Sequence, residues 1–287
     1  MKLSARVPAT SANIGPGFDC FGLALDLWNE VTVDADGSPG VTWEGEGAHE
    51  LPVDGSDMVS RSMAHAAQAC GAPSVPVALR GVNRIPLERG LGSSAAACVA
   101  GIALADRLLE LGLDRDEMLD LAIEIEGHAD NAAAAIVGGF TVAFGDGVLR
   151  LDVAPGLRPV ALIPTDVRVS TAEARAALHD VVPREAAVYN LGHAAAAVVA
   201  LTSQPELLAA SLSDRLHQDV RLAFVPTVRA VFDRLQGLGV PVCVSGAGPT
   251  LLAFELPERP VPDPGEGWRR LPLAVAASGV QVTRADG

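Results

Sequence analysis

The spacing of apolar and polar positions divides the first part of the chain into short strands and one helix. LSARVPA, NEVTVDA and VPVALRG are rich in β-branched residues and bounded by Gly, Pro or Asp, which predicts strands. Between the second and third of these, MVSRSMAHAAQAC has helical spacing, and Gly71 is placed to end the helix.

From Ser93 onward the pattern becomes helical. Residues 93–111 are rich in Ala and Leu and stop before Gly112, which predicts a long helix. DRDEMLDLAIEIEG predicts a second, amphipathic helix, and its acidic start suits the helix dipole. GGFTVAFG and VLRLDV then predict a hairpin.

After Pro155 the chain again mixes strands and helices. RPVALIP predicts a strand, and VPVCVSGAGPTLLAFEL predicts two strands about a glycine turn. Helices are predicted near TAEARAAL, EAAVYNLGHAAAAVVAL and VPTVRAVFDRLQGLG, and a last helix and strand are expected to end the chain. The pattern predicts an α+β protein divided near residue 155 into two domains, 1–155 and 156–287.

Composition narrows the class of partner. The 287 residues are 49% hydrophobic but only 4% aromatic, so the core must consist largely of Ala, Val and Leu. The net charge of −14 and the lack of a basic stripe argue against nucleic acid and against an anionic membrane surface as partners. The four widely spaced cysteines predict buried, reduced thiols, and the N-terminus has no apolar signal core. We therefore expect a cytoplasmic protein.

The segment PLERGLGSSAAA has the features of a phosphate-binding loop. A helix N-terminus offers unpaired N–H groups and partial positive charge, and Gly90 and Gly92 allow a phosphate to approach the backbone. Ser93 and Ser94 add hydroxyl donors or Mg²⁺ ligands. A Walker P-loop is excluded because its lysine is missing, and Ala95 replaces the third glycine of a dinucleotide fingerprint. A capped core helix after a tight turn is the alternative.

Two other segments carry polar side chains on breaks between elements. PATSANIGPGFDCFGLAL places Asn13 and Asp19 in a loop after a strand. Such a loop either presents a binding site or forms a turn whose polar side chains hydrogen-bond to their own backbone. EIEGHADN places Glu126 and Asp130 at a break between two helices. A carboxylate there could share a magnesium ion with the serine loop, or be an exposed charge at a helix end.

Taken together, these segments resemble the GHMP kinases. PATSANIGPGFDCFGLAL, PLERGLGSSAAA and SGAGPTLLAF occur in the family's order, and EGHADN and STAEAR fit the branch that acts on homoserine. The resemblance covers the chain from Val7 to Phe254. It implies a GHMP kinase fold, with an N-terminal half like ribosomal protein S5 domain 2 and a ferredoxin-like C-terminal half. It also implies ATP-dependent phosphorylation of the side-chain hydroxyl of L-homoserine to O-phospho-L-homoserine with release of ADP, in threonine biosynthesis, and leaves a homodimer open.

The resemblance also implies roles for individual residues. Mg²⁺ would be held by Ser94 and Glu126. The homoserine pocket would be lined by Asn13, Asp19, Asn131, Thr171, Arg175 and Arg221. The ATP phosphates would be wrapped by Pro86, Leu87, Glu88, Arg89, Gly90, Leu91, Gly92, Ser93, Ser94, Ala95 and Ala96. SGAGPT, residues 245–250, would support this loop without touching the substrate.

The chemistry of these side chains suits an amino-acid substrate. Asp19 can pair with an ammonium group, and an arginine fork suits a carboxylate. Thr171 and Arg175 are four residues apart and so share a helix face, whereas Arg221 by itself has the pattern of a solvated helix charge. Within the family the hydroxyl is activated either by an aspartate, here Asp130, or by alignment alone, and we favour alignment by Asn13 and Asn131.

Two positions depart from the family's pattern, and two other functions stay open. Ala134 replaces a frequent proline, and Met58 replaces an asparagine that commonly helps to hold adenine. Another small-molecule kinase of the family, acting on mevalonate or a sugar, is the first alternative. A non-catalytic sensor of ATP or a metabolite is the second.

Overall fold

The structure is a computed structural model, and it describes residues 1–145 and 147–285. Two sheets with helices packed on them confirm the predicted α+β class. The strands are β1 Lys2–Ala12, β2 Phe21–Asp34, β3 Gly40–Gly45, β4 Ala78–Asn83, β5 Phe140–Phe144, β6 Gly147–Leu151, β7 Arg158–Pro164, β8 Val242–Val244, β9 Leu251–Glu255, β10 Trp268–Pro272 and β11 Gln281–Arg284. The helices are α1 Met58–Ala69, α2 Ser93–Leu109, α3 Arg115–Glu126, α4 Asp130–Val137, α5 Thr171–Ala176, α6 Arg184–Thr202, α7 Leu208–Ser211, α8 Gln218–Ala223 and α9 Pro226–Gly237, with a 3-10 turn at Pro205–Leu207.

The first sheet has seven strands and is built around the long hairpin of β1 and β2. Its main path runs β11-β1-β2-β4-β3, and β5 pairs with both β2 and β6. All neighbours are antiparallel except β3 and β4. The register of the hairpin shifts between Pro8 and Ala9, and β1 ends at Ala12. The polar loop from Asn13 to Cys20 therefore leaves the sheet directly from a fixed strand end.

Helix α2 lies at the centre of the N-terminal half. It packs against β1, α1, α3 and α4, and most of its residues from Ala95 to Ala105 are buried. Small side chains let the neighbouring helices come close. A Cβ added at Gly101 would lie 2.5 Å from the carbonyl oxygen of Val59 in α1. The low aromatic content is thus matched by a core in which backbones approach one another closely.

Local signals fix the ends of α3, next to the candidate site. Asp114 caps the helix, and its side chain and that of Glu117 form a capping box. Gly127 ends the helix in the left-handed conformation, with φ of 81°. The chain then enters α4 at Asp130, so Glu126 and Asp130 lie on either side of one tight break.

The second sheet has the order β10-β7-β9-β8, and its strands β7, β9 and β8 are buried on both faces. Successive strand residues face opposite sides. Ala161, Ile163, Leu252 and Phe254 join the core that contains the first sheet and α6, whereas Val160, Leu162, Leu251 and Ala253 pack with α9. One hydrophobic core therefore joins the two sheets.

The C-terminal end of the chain differs from the prediction. The last helix that we predicted is wrong, because the described residues after 237 contain no helix. Trp268–Pro272 is instead strand β10, paired with β7, and Pro272 could not donate to a helical hydrogen bond. β11 then pairs with β1, so the chain returns to the first sheet. The division at residue 155 stays a prediction, and it did not include this return.

Burial of the cysteines was predicted correctly for only two of them. All four are free, but Cys98 and Cys243 are buried while Cys20 and Cys70 are exposed. Burial raises the pKa of the Cys98 and Cys243 thiols to about 12. Within residues 1–145 and 147–285, no helix combines the length and the apolar character needed to cross a membrane.

We expect Gly101→Ala to lower the free energy of unfolding by about 1–3 kcal/mol, because the added methyl group would push α1 away from α2. Gly192→Ala is the matched control. It lies in α6 with nothing within 4 Å of the added Cβ, and it should raise stability by about 0.5–1 kcal/mol. Urea unfolding followed by circular dichroism measures both. Equal effects of the two substitutions would contradict the close α1–α2 contact.

Candidate active site

The N-terminus of α2 opens into a cavity of about 490 Å³ between the two halves of the chain. Gly92 occupies the N-cap position with φ of 67°, and no side chain caps the helix. The first N–H groups of α2 are therefore available to a ligand, and they carry the positive end of the helix dipole. A Cβ at Gly92 would collide with the hydroxyl of Thr10, and one at Gly90 would collide with the carbonyl oxygen of Ser245. This turn requires glycine for space as well as for its positive φ angle.

The glycine turn of SGAGPT holds the loop before α2 from behind. The Ser245 hydroxyl donates to the carbonyl oxygen of Gly90 at 2.6 Å and accepts from the hydroxyl of Ser11 at 2.8 Å. The backbone N–H of Thr250 donates to the carbonyl oxygen of Arg89 at 3.3 Å. These contacts agree with the supporting position expected for residues 245–250, although Gly246 and Ala247 also line the cavity.

Only part of the predicted phosphate loop faces this cavity. Its lining includes Gly90 and Gly92 to Ala95. Pro86, Leu87 and Arg89 line a separate cavity of about 270 Å³ on the other side of the loop.

Ser94 and Glu126 are in direct contact at the cavity wall. The Ser94 hydroxyl donates to Glu126 Oε1 at 2.7 Å, joining the first turn of α2 to the last residue of α3. No group of three or more His, Cys, Asp and Glu side chains in residues 1–145 and 147–285 could hold a metal ion. A hydroxyl and one carboxylate are a donor set that suits Mg²⁺ when phosphate oxygens complete its shell. The residues present therefore fit the expected ion.

A second polar group lies where β1 and α4 meet the cavity. The Thr10 hydroxyl donates to Asn131 Oδ1 at 2.7 Å, and the Asn131 N–H donates to Asp130 Oδ1 at 2.7 Å. His128 Nδ1 lies 3.1 Å from the same Asp130 oxygen. The Asp130 carboxylate beside it raises the pKa of His128 above its ordinary value, against the opposing effect of burial. The Asp130 carboxylate is buried and already accepts hydrogen bonds from the protein.

Asp19, in the N-terminal half, and Arg175, in the C-terminal half, form a bidentate ion pair. Arg175 Nη2 lies 2.7 Å from Asp19 Oδ1, and Arg175 Nη1 lies 3.0 Å from Asp19 Oδ2. Asn13 Oδ1 holds the Asp19 backbone N–H at 2.9 Å, and Asn13 Nδ2 donates to the carbonyl oxygen of Gly246 at 3.0 Å. Thr171 and Arg175 both line the cavity from α5, as their spacing predicted.

Arg221 is buried, which overturns the interpretation that its sequence position alone would favour. Only 5% of the residue is exposed, and its guanidinium lies 5.4 Å from the ring centre of Phe18. Its Nη1 donates to the carbonyl oxygen of Gly246 at 2.5 Å. Burial lowers the pKa of Arg221 to about 10, so it remains charged at neutral pH. Within the described residues its Nε has no partner, which leaves a buried donor for a ligand.

A second, more apolar cavity of about 200 Å³ lies on the other side of the α2 N-terminus. Ser93 and Ser94 line both cavities. Met58, the position that departs from the family's pattern, lines this second cavity together with Asp57 and Trp43.

Sequence reasoning missed His217, whose ring lies against Arg221 and Phe18. It is fully buried, and its Nδ1 is 3.1 Å from Arg221 Nη1. The signal was present, because His217 and Arg221 are four residues apart and therefore meet on one helix face. Gly15 and Phe18 were missed as well, since both lie within a loop that has no periodic pattern.

A family model described as the GHMP kinases N terminal domain matches residues 57–139. The chain is 42% identical to the homoserine kinase of Clavibacter michiganensis subsp. michiganensis, over 99% of this chain and 95% of that protein. It is 47% identical to the homoserine kinase of Cutibacterium acnes, over 88% of each chain.

A solved structure of similar shape agrees with these sequence matches. The crystal structure of homoserine kinase from Cytophaga hutchinsonii matches with a TM-score of 0.85 and 26% identity, covering 98% of this chain and 97% of that one. This chain and these homoserine kinases are thus similar over nearly their full lengths and share one fold. The chain belongs to the homoserine kinase family of the GHMP kinases.

Proposed function

We propose that this protein transfers the terminal phosphoryl group of ATP to the side-chain hydroxyl of L-homoserine, giving O-phospho-L-homoserine and ADP. The observation that carries the proposal is that one cavity joins the uncapped N-terminus of α2 to Arg175, which is paired with Asp19, and to Arg221. The first of these features suits phosphate, and the second suits an amino acid. A kinase for an amino acid needs both within reach of each other.

The phosphate end of the site would be formed by the start of α2. Its free N–H groups and the Ser93 hydroxyl would hold phosphate oxygens, while Ser94 and Glu126 would hold Mg²⁺. The nucleotide supplies the phosphoryl group, and the ion neutralises charge on its oxygens. The 200 Å³ cavity beside Ser93 would take the adenine, with Met58 in place of the usual asparagine.

The amino-acid end would use charge complementarity. Asp19 would bind the ammonium group of homoserine, and Arg175 and Arg221 would bind its carboxylate. Asp19 and Arg175 neutralise each other in this structure. When homoserine separates them, its ammonium group would pair with Asp19 and its carboxylate with Arg175, so that neither charge is left alone. A substrate without a carboxylate would leave the buried Arg221 Nε without an acceptor, which is costly.

Transfer would depend on alignment of the hydroxyl by Asn13 and Asn131. Each side-chain amide is already held by a protein hydrogen bond, to Gly246 and from Thr10 respectively, so each has a fixed direction. Phosphoryl transfer requires positioning and charge neutralisation more than proton abstraction. Asp130 accepts from Asn131 and would act by holding that residue in place.

The proposed function also includes the cellular location and the pathway of the protein. We propose that it acts in the cytoplasm in threonine biosynthesis, with a small molecule as its substrate. Exposed Val188 and Leu191 on α6 would offer an apolar surface for a homodimer.

ADP release measured with Mg-ATP should occur with L-homoserine and not with L-serine, mevalonate or galactose. Homoserine alone has both the charged groups and the chain length that place its hydroxyl between Asn13 and Asn131. Assays with EDTA added provide the control for the metal ion. Turnover on mevalonate or galactose would favour the other small-molecule kinases of the family. ATP binding without any turnover would favour a sensor.

We expect Glu126→Gln to lower kcat on the order of 100-fold and to raise the magnesium concentration needed for half-maximal rate, because a charged ligand is lost. Glu124→Gln is the matched control. It removes the same charge two residues earlier in α3, where the side chain contacts His65 outside the cavity. If both variants had the same magnesium dependence, Glu126 would not be a metal ligand.

Asp130→Asn should keep near-normal turnover, because its oxygen can still accept the Asn131 N–H. Steady-state kcat with homoserine and Mg-ATP tests this expectation. A loss on the order of a thousand-fold would instead identify Asp130 as a general base.

A further inference from the structure

His217 is a fully buried histidine that the proposed reaction does not use. Its side chain is 0% exposed, each ring nitrogen has one hydrogen-bond partner, and Nε2 also lies 3.8 Å from Asp214 Oδ2. Nε2 lies 2.7 Å from the carbonyl oxygen of Gly15, in the loop that carries Asp19. Nδ1 lies 3.1 Å from Arg221 Nη1. The ring therefore bridges the N-terminal substrate loop and the buried arginine.

The two partners allow only one protonation state of the ring. A carbonyl oxygen can only accept, so Nε2 must carry a proton and donate to Gly15. A guanidinium can only donate, so Nδ1 must keep its lone pair and accept from Arg221. Burial lowers the pKa of His217 below its ordinary value, against the opposing effect of the Asp214 carboxylate, in agreement with a neutral ring at physiological pH.

The backbone around His217 is held as firmly as the ring. Asp214 Oδ2 accepts the backbone N–H groups of His217 and Gln218, each at 2.8 Å. Asn190 donates to the other oxygen of Asp214 at 2.7 Å. The ring of Phe18 stacks on that of His217, with 5.3 Å between their centres. His217 therefore has little freedom to turn.

The contact with His217 decides which edge of Arg221 is free. Nη1 has two N–H bonds, and its two protein acceptors are the carbonyl oxygen of Gly246 and His217 Nδ1. Nε has no partner within the described residues, and it shares an edge of the guanidinium with Nη2. Two parallel N–H groups on one edge match the two oxygens of a carboxylate.

We propose that His217 is a positioning residue that fixes Arg221 so that its Nε–Nη2 edge receives the substrate carboxylate. This inference rests on the proposed function for the identity of the ligand. Through Gly15, the same ring sets the distance between the carboxylate-binding arginine and the loop that carries Asp19. His217 thereby determines affinity for the zwitterionic end of the substrate, and it takes no part in phosphoryl transfer.

Two substitutions separate the two hydrogen bonds. His217→Gln places an amide N–H near the former Nε2 and keeps the donor to Gly15, but it loses the acceptor for Arg221. His217→Asn places an oxygen near the former Nδ1 and keeps that acceptor, but it loses the donor to Gly15. For each variant we would measure kcat, KM for L-homoserine, KM for ATP, and the inhibition constant of 3-amino-1-propanol, which is homoserine without its carboxylate.

The expected result is a rise of about 10- to 100-fold in KM for homoserine in His217→Gln, because a hydrogen bond to a buried charge is lost. KM for ATP and the inhibition constant of 3-amino-1-propanol should stay within about two-fold, since neither ligand offers a carboxylate to Arg221. His217→Asn should raise KM for homoserine less than His217→Gln does, because it keeps the acceptor for Arg221 and loses only the contact with Gly15. A purely structural role would shift the homoserine and 3-amino-1-propanol constants together, and that result would overturn the proposal. An unchanged KM for homoserine in His217→Gln, or equal effects of the two variants, would also overturn it.

Nitrogen-15 NMR of the unchanged protein labelled at histidine covers the case in which a variant does not fold. The proposal requires one ring that stays neutral at pH 5–6 with its proton on Nε2, and that responds to homoserine but not to ATP. A proton on Nδ1 of that ring, or no response to homoserine, would contradict it. Failure of the unchanged protein to phosphorylate homoserine would instead refute the proposed function. The NMR signature in the free protein would then still report whether the His217–Arg221 contact exists.

Discussion

The unpaired N–H groups at the start of α2 impose the constraint on which the rest of the site depends. A helix end without a side-chain cap is stable only if water or a ligand takes those donors, and here it faces a cavity. The turn before it can consist of glycines without side-chain contacts of their own because the Ser245 hydroxyl donates a hydrogen bond to the carbonyl oxygen of Gly90. Any side chain at Gly90 or Gly92 would collide with that support or with Thr10. The geometry of this helix end is thus fixed by contacts from the opposite half of the chain.

A buried polar seam joins the two halves around this helix end. Ser245 contacts Ser11, Gly246 accepts from Asn13 and Arg221, and His217 donates to Gly15. Buried hydrogen bonds of this kind are strong in a medium of low dielectric, and they are costly when one partner is missing. The seam therefore specifies one arrangement of the halves, where apolar packing alone would tolerate small displacements. It also supplies two hydrogen-bond acceptors to the buried guanidinium of Arg221.

The core of small side chains also helps to fix the positions of the site residues. Alanines along α2 and α4 and the glycine at position 101 let helices and strands approach closely, so the loops that leave them start from well-defined points. Asn13 follows directly on the end of β1, and Glu126 is the last residue of α3. Polar groups on short breaks between such elements have little freedom. This rigidity would suit the proposed transfer, which depends on alignment more than on acid–base chemistry.

The sequence by itself determined the elements whose signals are local. Asp114, Gly127 and the periodic run from Ser93 placed α2 and α3, and the glycine–serine turn indicated a phosphate site, because caps, turns and periodicity act within a few residues. The last helix was predicted wrongly, since pairing with β7 overrode the local preference of residues 268–272. Burial of Arg221 and the part played by His217 depend on Gly15, Phe18 and Gly246, which lie far away in the chain. Only the tertiary structure could decide these, because the environment of a charge is set by whatever the folded chain brings around it.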